Sequence, residues 1–98
     1  MSEQAKAQVK AEKIKNFTST YGNNYVFQKV KPSKWLEIID NTGNGVKRIR
    51  SLFYPAILEN VVVQPSSMNV DDFEEEGRGD YAELEEVIDA ALRFQQGE

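Results

Sequence analysis

Phe17-Thr18-Ser19-Thr20-Tyr21-Gly22-Asn23-Asn24-Tyr25-Val26-Phe27-Gln28-Lys29-Val30 is the stretch that decides the fold. Phe17–Tyr21 and Tyr25–Val30 are rich in β-branched and aromatic residues, which suit a pleated, half-buried surface. Gly22-Asn23-Asn24 between them supplies residues that tolerate positive φ. The pattern predicts a β-hairpin with a short loop. A lone hairpin is barely stable in water, so one of its faces must rest on helices or on another chain.

Downstream, the periodicity changes from strand to helix. Pro32 stops the strand and suits a first helical position. Trp35, Ile38 and Ile39 then form the i, i+3, i+4 stripe of a short helix, which the run Asn41-Thr42-Gly43-Asn44-Gly45 ends. A second helix is expected to begin near Gly45, with Val46, Ile49, Phe53, Ala56 and Asn60 at helical spacing. Pro55 inside it removes a backbone donor and predicts either a kink or the start of another short helix. Residues 61–64 read as an extended exit or short strand, and residues 65–80 as a loop. Leu84, Val87, Ile88, Ala91, Leu92 and Phe94 mark the last helix, with Asp80 as its expected cap, Glu83 completing a capping box and Gly97 ending it.

Upstream, residues 2–16 are helix formers with a thin apolar face of Ala7, Ala11 and Ile14. Residues 1–16 therefore read as a basic arm, helical or disordered, and 17–98 as a single globular domain. The expected class is a small, mainly α form of α+β, with an N-terminal hairpin followed by about three helices. Ninety-eight residues bury one modest core, and 40% hydrophobic residues are enough to fill it. Trp35, Phe53, Ile57, Leu84, Ile88 and Leu92 are its expected members.

The charges are sorted along the chain. Residues 1–50 hold ten lysines and arginines against four acids, a net of +6, whereas residues 51–98 hold two against twelve, a net of −10. Either the folded body keeps this separation and behaves as an electrostatic dipole that attracts other copies, or the halves fold back and neutralise each other.

The chain contains neither histidine nor cysteine. That removes the commonest general base, the commonest zinc ligand, every disulfide and every thiolate. No Ser/His or Cys/His nucleophile pair can be assembled, so the reading is non-enzymatic, with no cofactor. The polar N-terminus has no apolar run of a signal peptide, and no stretch reaches the ~20 apolar residues of a membrane span.

Three surfaces remain as candidates. Asp72, Glu74, Glu76, Gly77, Asp80 and Glu83 fall at calcium-loop spacing. Long glutamates at the third and fifth positions and Gly79 at the eighth favour instead a loop leading into an acid-capped helix. Lys29, Lys31, Lys34, Lys47, Arg48 and Arg50 beside Tyr25, Phe27 and Trp35 outline a nucleic-acid face, which the net charge of −4 opposes. The hairpin aromatics Phe17, Tyr21, Tyr25 and Phe27 exceed what one small hairpin buries by itself. With Tyr54, Tyr25 and Phe27 are the expected protein contacts.

The ordered landmarks Phe27-Gln28-Lys29-Val30, Pro32, Trp35-Leu36, Ile57-Leu58-Glu59-Asn60-Val61-Val62-Val63, Pro65, Asp71-Asp72-Phe73 and Glu83-Leu84-Glu86-Val87-Ala90-Ala91-Phe94 span roughly residues 25–95. In that order they resemble the small tail assembly chaperones of long-tailed phages and prophages of Gram-positive bacteria. The resemblance implies a host-cytoplasmic, largely helical protein that often self-associates. Its implied partner is the tape-measure protein, whose apolar helices it keeps from aggregating until the tail tube polymerises. The alternatives are a structural head–tail connector or tail completion protein, and a small nucleic-acid-binding regulator.

Overall fold

The computed structural model describes residues 13–43 and 47–97. Strands β1 (Ile14–Thr18) and β2 (Asn24–Gln28) form the expected antiparallel hairpin, with Phe17 opposite Tyr25 and Lys15 opposite Phe27. Its first strand lies earlier than the sequence suggested. Ile14, Lys15 and Asn16, assigned to the arm, belong to the sheet, while Ser19–Asn23 form the loop; residues 1–12 lie outside the described residues. Ser19 is the physical reason. Its hydroxyl accepts hydrogen bonds from the Tyr21 and Asn23 N–H groups at 3.2 and 3.3 Å, so local bonding there competes with extension. Gly22, at φ +87°, closes the turn.

Helix α1 (Pro32–Asn41) begins with Pro32 in its first turn. It ends where the Thr42 hydroxyl donates to the Ile38 carbonyl at 2.7 Å. Helix α2 (Arg50–Asn60) starts about five residues later than the Gly45 expectation. Before it, Arg48 bridges back to Gly43 and donates to the Ile39 carbonyl, so that segment is used to close α1 against α2. Pro55 does not break the helix: α2 runs through it, with the proline on the exposed side. The missing i→i−4 bond falls where water can solvate the freed Ser51 carbonyl.

The Val61–Gln64 exit is a true third strand. β3 (Val62–Gln64) pairs antiparallel with β2, giving the order β1-β2-β3 with an irregularity at Val26/Phe27. A 3₁₀ turn (Val70–Glu74) and helix α3 (Asp80–Gln95) follow. The class is therefore α+β, with a three-stranded sheet and with its last strand inserted between the second and third helices. That order corrects a simple hairpin followed by helices. The third strand was hard to read because three residues give no alternation to count.

The odd-numbered hairpin residues face the helices. Tyr25 and Phe27 are enclosed there at 1% and 0% exposure, together with Phe53, Ile57, Leu58, Val61, Phe73, Val87 and Ala91. Phe17 stacks on Phe27 at 5.5 Å between ring centroids, and Tyr25 stacks on Phe73 at 6.2 Å. Of the expected core, Phe53, Ile57, Leu84 and Ile88 are buried, and Trp35 and Leu92 pack against its margin.

Phe27→Ala removes a fully enclosed ring and is expected to cost about 3–5 kcal/mol of stability, read by urea denaturation with Trp35 fluorescence. A loss below about 1 kcal/mol would show that the ring is dispensable to the core.

Candidate functional site

One carboxylate organises the end of the molecule where the hairpin loop meets α3. Glu83 lies in the first turn of α3 and is 0% exposed. It accepts from the Ser19 hydroxyl at 2.7 Å, the Tyr25 hydroxyl at 2.8 Å, the Asn23 amide at 2.9 Å and the Gly79 N–H at 2.7 Å. Burial by itself raises the carboxyl pKa. The Gly79 N–H, Ser19, Asn23 and Tyr25 together outweigh that and hold it below the ordinary range. Tyr25 is displaced the other way: burial, then its bond to Glu83, raise the phenol well above its usual value, against the opposing charge of Arg78. Arg78 donates to the Tyr25 oxygen at 2.5 Å.

The capping box thus has a different form from the one expected. Glu83 reaches back to Gly79 rather than to Asp80, and Asp80 is exposed at φ +58° with no capping bond of its side chain. Gly79 also lies close beneath the half-exposed Tyr21 side chain, which would have to move to admit a larger residue. A Cβ at that position would lie 2.5 Å from the Tyr21 ring. Next along α3, Glu86 accepts from the Thr20 N–H at 2.9 Å and its hydroxyl at 3.1 Å. The hairpin loop is therefore fastened to α3 at two successive turns.

The same geometry bears on the calcium-spacing candidate. Its final ligand would be Glu83, whose oxygens are committed to donors from the hairpin and Gly79. Val70–Glu74 forms a 3₁₀ turn held by Asn69 and Asp72. No group of three or more acidic side chains poised to hold a metal ion occurs among the described residues. The nucleic-acid face loses its stacking platform, because Tyr25 and Phe27 are enclosed.

Those two residues are likewise absent from the monomer surface as protein contacts. Their exposure was misjudged because a hairpin's inward and outward registers look alike until the helices are placed. Tyr54 stands differently. It lines a groove of about 360 Å³ between α2 and α3, floored by Phe53, Ile88 and Leu92. Lys47, Arg48 and Arg50 form one bank of that groove, and Glu85 and Asp89 the other. Beyond Tyr54 the depression continues for about 250 Å³ past Ser51, Pro55, Val70, Tyr81 and Leu84.

Across the seam the Tyr54 hydroxyl donates to Glu85 at 2.9 Å, and Arg50 donates to the Tyr81 oxygen at 3.3 Å. Burial, then the Glu85 bond and charge, push the Tyr54 phenol up to about 12, so it remains a donor throughout the neutral range. Sequence spacing placed Tyr54 off the helical stripe. It could not pair that face with Ile88 and Leu92, 34 or more residues away.

No helix among the described residues is long and apolar enough to cross a membrane. The chain matches no protein-family model, no curated protein and no solved structure.

Glu83→Gln would turn an amide N–H₂ toward groups that are themselves donors, at an expected cost of about 2–3 kcal/mol. The pH response follows from the depressed pKa. In the wild type, Glu83's contribution is complete above the unfolded value of about 4.5 and is lost as pH falls through the lower folded value. Urea midpoints at pH 7 and pH 3 should therefore differ more for the wild type than for Glu83→Gln. Equal differences would show that Glu83 contributes no acid sensitivity.

Proposed function

We propose that this protein is a non-catalytic binding protein, a tail assembly chaperone for a long-tailed phage or prophage. In the host cytoplasm it would hold apolar helices of the tape-measure protein until the tail tube polymerises around them. The observation that carries this reading is the groove between α2 and α3.

An apolar floor with banks of opposite charge suits an amphipathic helix laid along it. Phe53, Tyr54, Ile88 and Leu92 would receive its apolar stripe. Arg50 would face acids on one flank, and Glu85 and Asp89 would face bases on the other. Binding of this kind excludes water from a client's apolar face without needing a deep cavity. It stays reversible because much of the rim is solvated, a requirement for a factor that must leave when assembly begins.

The landmarks behind the family resemblance support the same reading from another side. Phe27, Ile57, Leu58, Val61, Val62, Phe73, Leu84 and Val87 are core residues, so what the resemblance constrains is the scaffold. The groove supplies the surface that such a scaffold would present.

The test is co-expression with the product of an adjacent, very long, helix-rich reading frame. The wild type is expected to keep that client soluble and to co-purify with it. Tyr54→Ser and Arg50→Glu should each weaken retention at least tenfold, about 1.4 kcal/mol, while leaving the thermal midpoint within a few degrees. Stoichiometric recovery of the protein in purified particles would replace this reading with that of a structural connector or completion protein. A client equally insoluble with and without the protein would remove the chaperone reading.

A further inference from the structure

The first strand of the sheet has an open edge. The order β1-β2-β3 leaves β1 with no neighbour on its outer side among the described residues. The hydrogen-bond register says which groups lie there. Lys29 N–H donates to the Lys13 carbonyl, and Ser19 N–H donates to the Asn23 carbonyl. In an antiparallel pair the bonded positions alternate. Lys13, Lys15, Phe17 and Ser19 therefore direct their backbone toward β2, and Ile14, Asn16 and Thr18 direct theirs outward. This edge is a template for another strand.

The side chains select what can use it. Lys15 and Phe17, opposite Phe27 and Tyr25, lie on the helix side of the sheet; Ile14, at 52% exposure, lies on the outer side. Lysine on an edge strand ordinarily discourages indiscriminate pairing. It does so less where carboxylates face it, and the molecule carries such carboxylates at the other end of the same strand.

The two poles can be placed from contacts. Lys13 and Lys29 meet at the open end of the hairpin, where Lys29 lies over the Phe94 ring and Val30 is bonded to Gln95 at the C-terminal end of α3. Glu86 meets Thr20 at the loop end, near the N-terminal end of α3. Asp71 and Glu74 line a depression with Asp80 at that end too. The visible ion pairs Lys34–Glu37, Arg78–Glu75 and Arg93–Asp89 join residues three or four apart and leave this polarity in place.

We infer that β1 is a self-association edge, where a second copy pairs antiparallel about a two-fold axis at Asn16. The three-stranded sheet then becomes six-stranded, with the helices of both copies on one face. In that register Ile14 lies opposite Thr18 of the second copy, and Asn16 opposite its equivalent, so the outward backbone groups of both strands are satisfied. Lys15 lies across from Phe17 of the second copy, where its stem covers the ring and its charge faces the π cloud. Lys13 arrives beside Ser19 and Thr20 of the second copy, on the side where Glu86 is held. The symmetry repeats each contact. Two dipoles placed side by side and antiparallel attract, and the arrangement closes at two copies, whereas head-to-tail stacking of the same dipoles would continue growing. This pairing is independent of any client in the α2–α3 groove.

The test uses the full-length chain. Light scattering after size exclusion at low ionic strength is expected to give the mass of a dimer, weakening as salt is raised. Asn16→Pro removes an outward N–H that bonds to no partner strand among the described residues, and a proline is tolerated at such an edge position. It should raise the dimer dissociation constant at least tenfold with an unchanged circular dichroism spectrum.

Because the chain has no cysteine, N16C offers a second measurement. Symmetry-related backbones in a bonded pair lie about 5.5 Å apart, within disulfide reach, so mild oxidation should link N16C to itself. V63C, on the opposite edge strand, should remain unlinked. A monomer at every salt concentration, a dimer that Asn16→Pro leaves intact, or cross-linking of V63C in place of N16C would each overturn the inference.

Discussion

The structure depends on a carboxylate taken out of water. Burying a charge this completely is unfavourable unless donors surround it, and Glu83 has donors from the hairpin loop, from β2 and from the turn before α3. Each donor comes from a segment that would otherwise be free to move relative to the others. Ser19 and Asn23 fix the loop, Tyr25 fixes the strand, and Gly79 fixes the start of the helix. The apolar core supplies the larger driving force, but it is tolerant of small slides. A buried acceptor with specific donors is not, because a slip leaves a polar group unpaired.

That constraint sets the position of α3, and the position of α3 creates the groove. Phe53 and Tyr54 on α2 face Ile88 and Leu92 on α3, whose N-terminal end is anchored at the hairpin loop and whose Gln95 is bonded to Val30 near its C-terminal end, while Tyr54–Glu85 and Arg50–Tyr81 bonds cross the seam. The two banks take their opposite signs from the charge sorting of the chain: Lys47, Arg48 and Arg50 close the basic half, and Glu85 and Asp89 on α3 belong to the acidic half. Across the seam, charged side chains from the two halves of the chain lie on opposite sides of one groove.

Much of the fold was legible because it follows local rules. The hairpin was visible in β-branched and aromatic runs around Gly22, α1 in Pro32 and the Trp35, Ile38, Ile39 stripe, and α3 in its broad apolar face and terminal Gly97. The misreadings have local causes as well. Ser19 bonds its own turn and ends the first strand early, Arg48 and Ile49 bond back to the end of α1 before α2 begins, and Val62–Gln64 is too short to show a period. The candidate site was less legible. Tyr54 was singled out as an aromatic beyond the core stripe, but Tyr25 and Phe27, chosen by the same reasoning, are enclosed.

By itself, the amino-acid sequence determined that a hairpin and the main helices form, though not their boundaries or the third strand, together with the lack of histidine and cysteine and the unequal distribution of charge. Each of these is a property of neighbouring residues or of counts. Only the tertiary structure decided which aromatic rings are enclosed, that Glu83 is a buried acceptor rather than a surface cap, and that α2 and α3 enclose a groove with banks of opposite sign. Those outcomes depend on contacts between residues tens of positions apart, and no local periodicity records which distant segment will cover a given face.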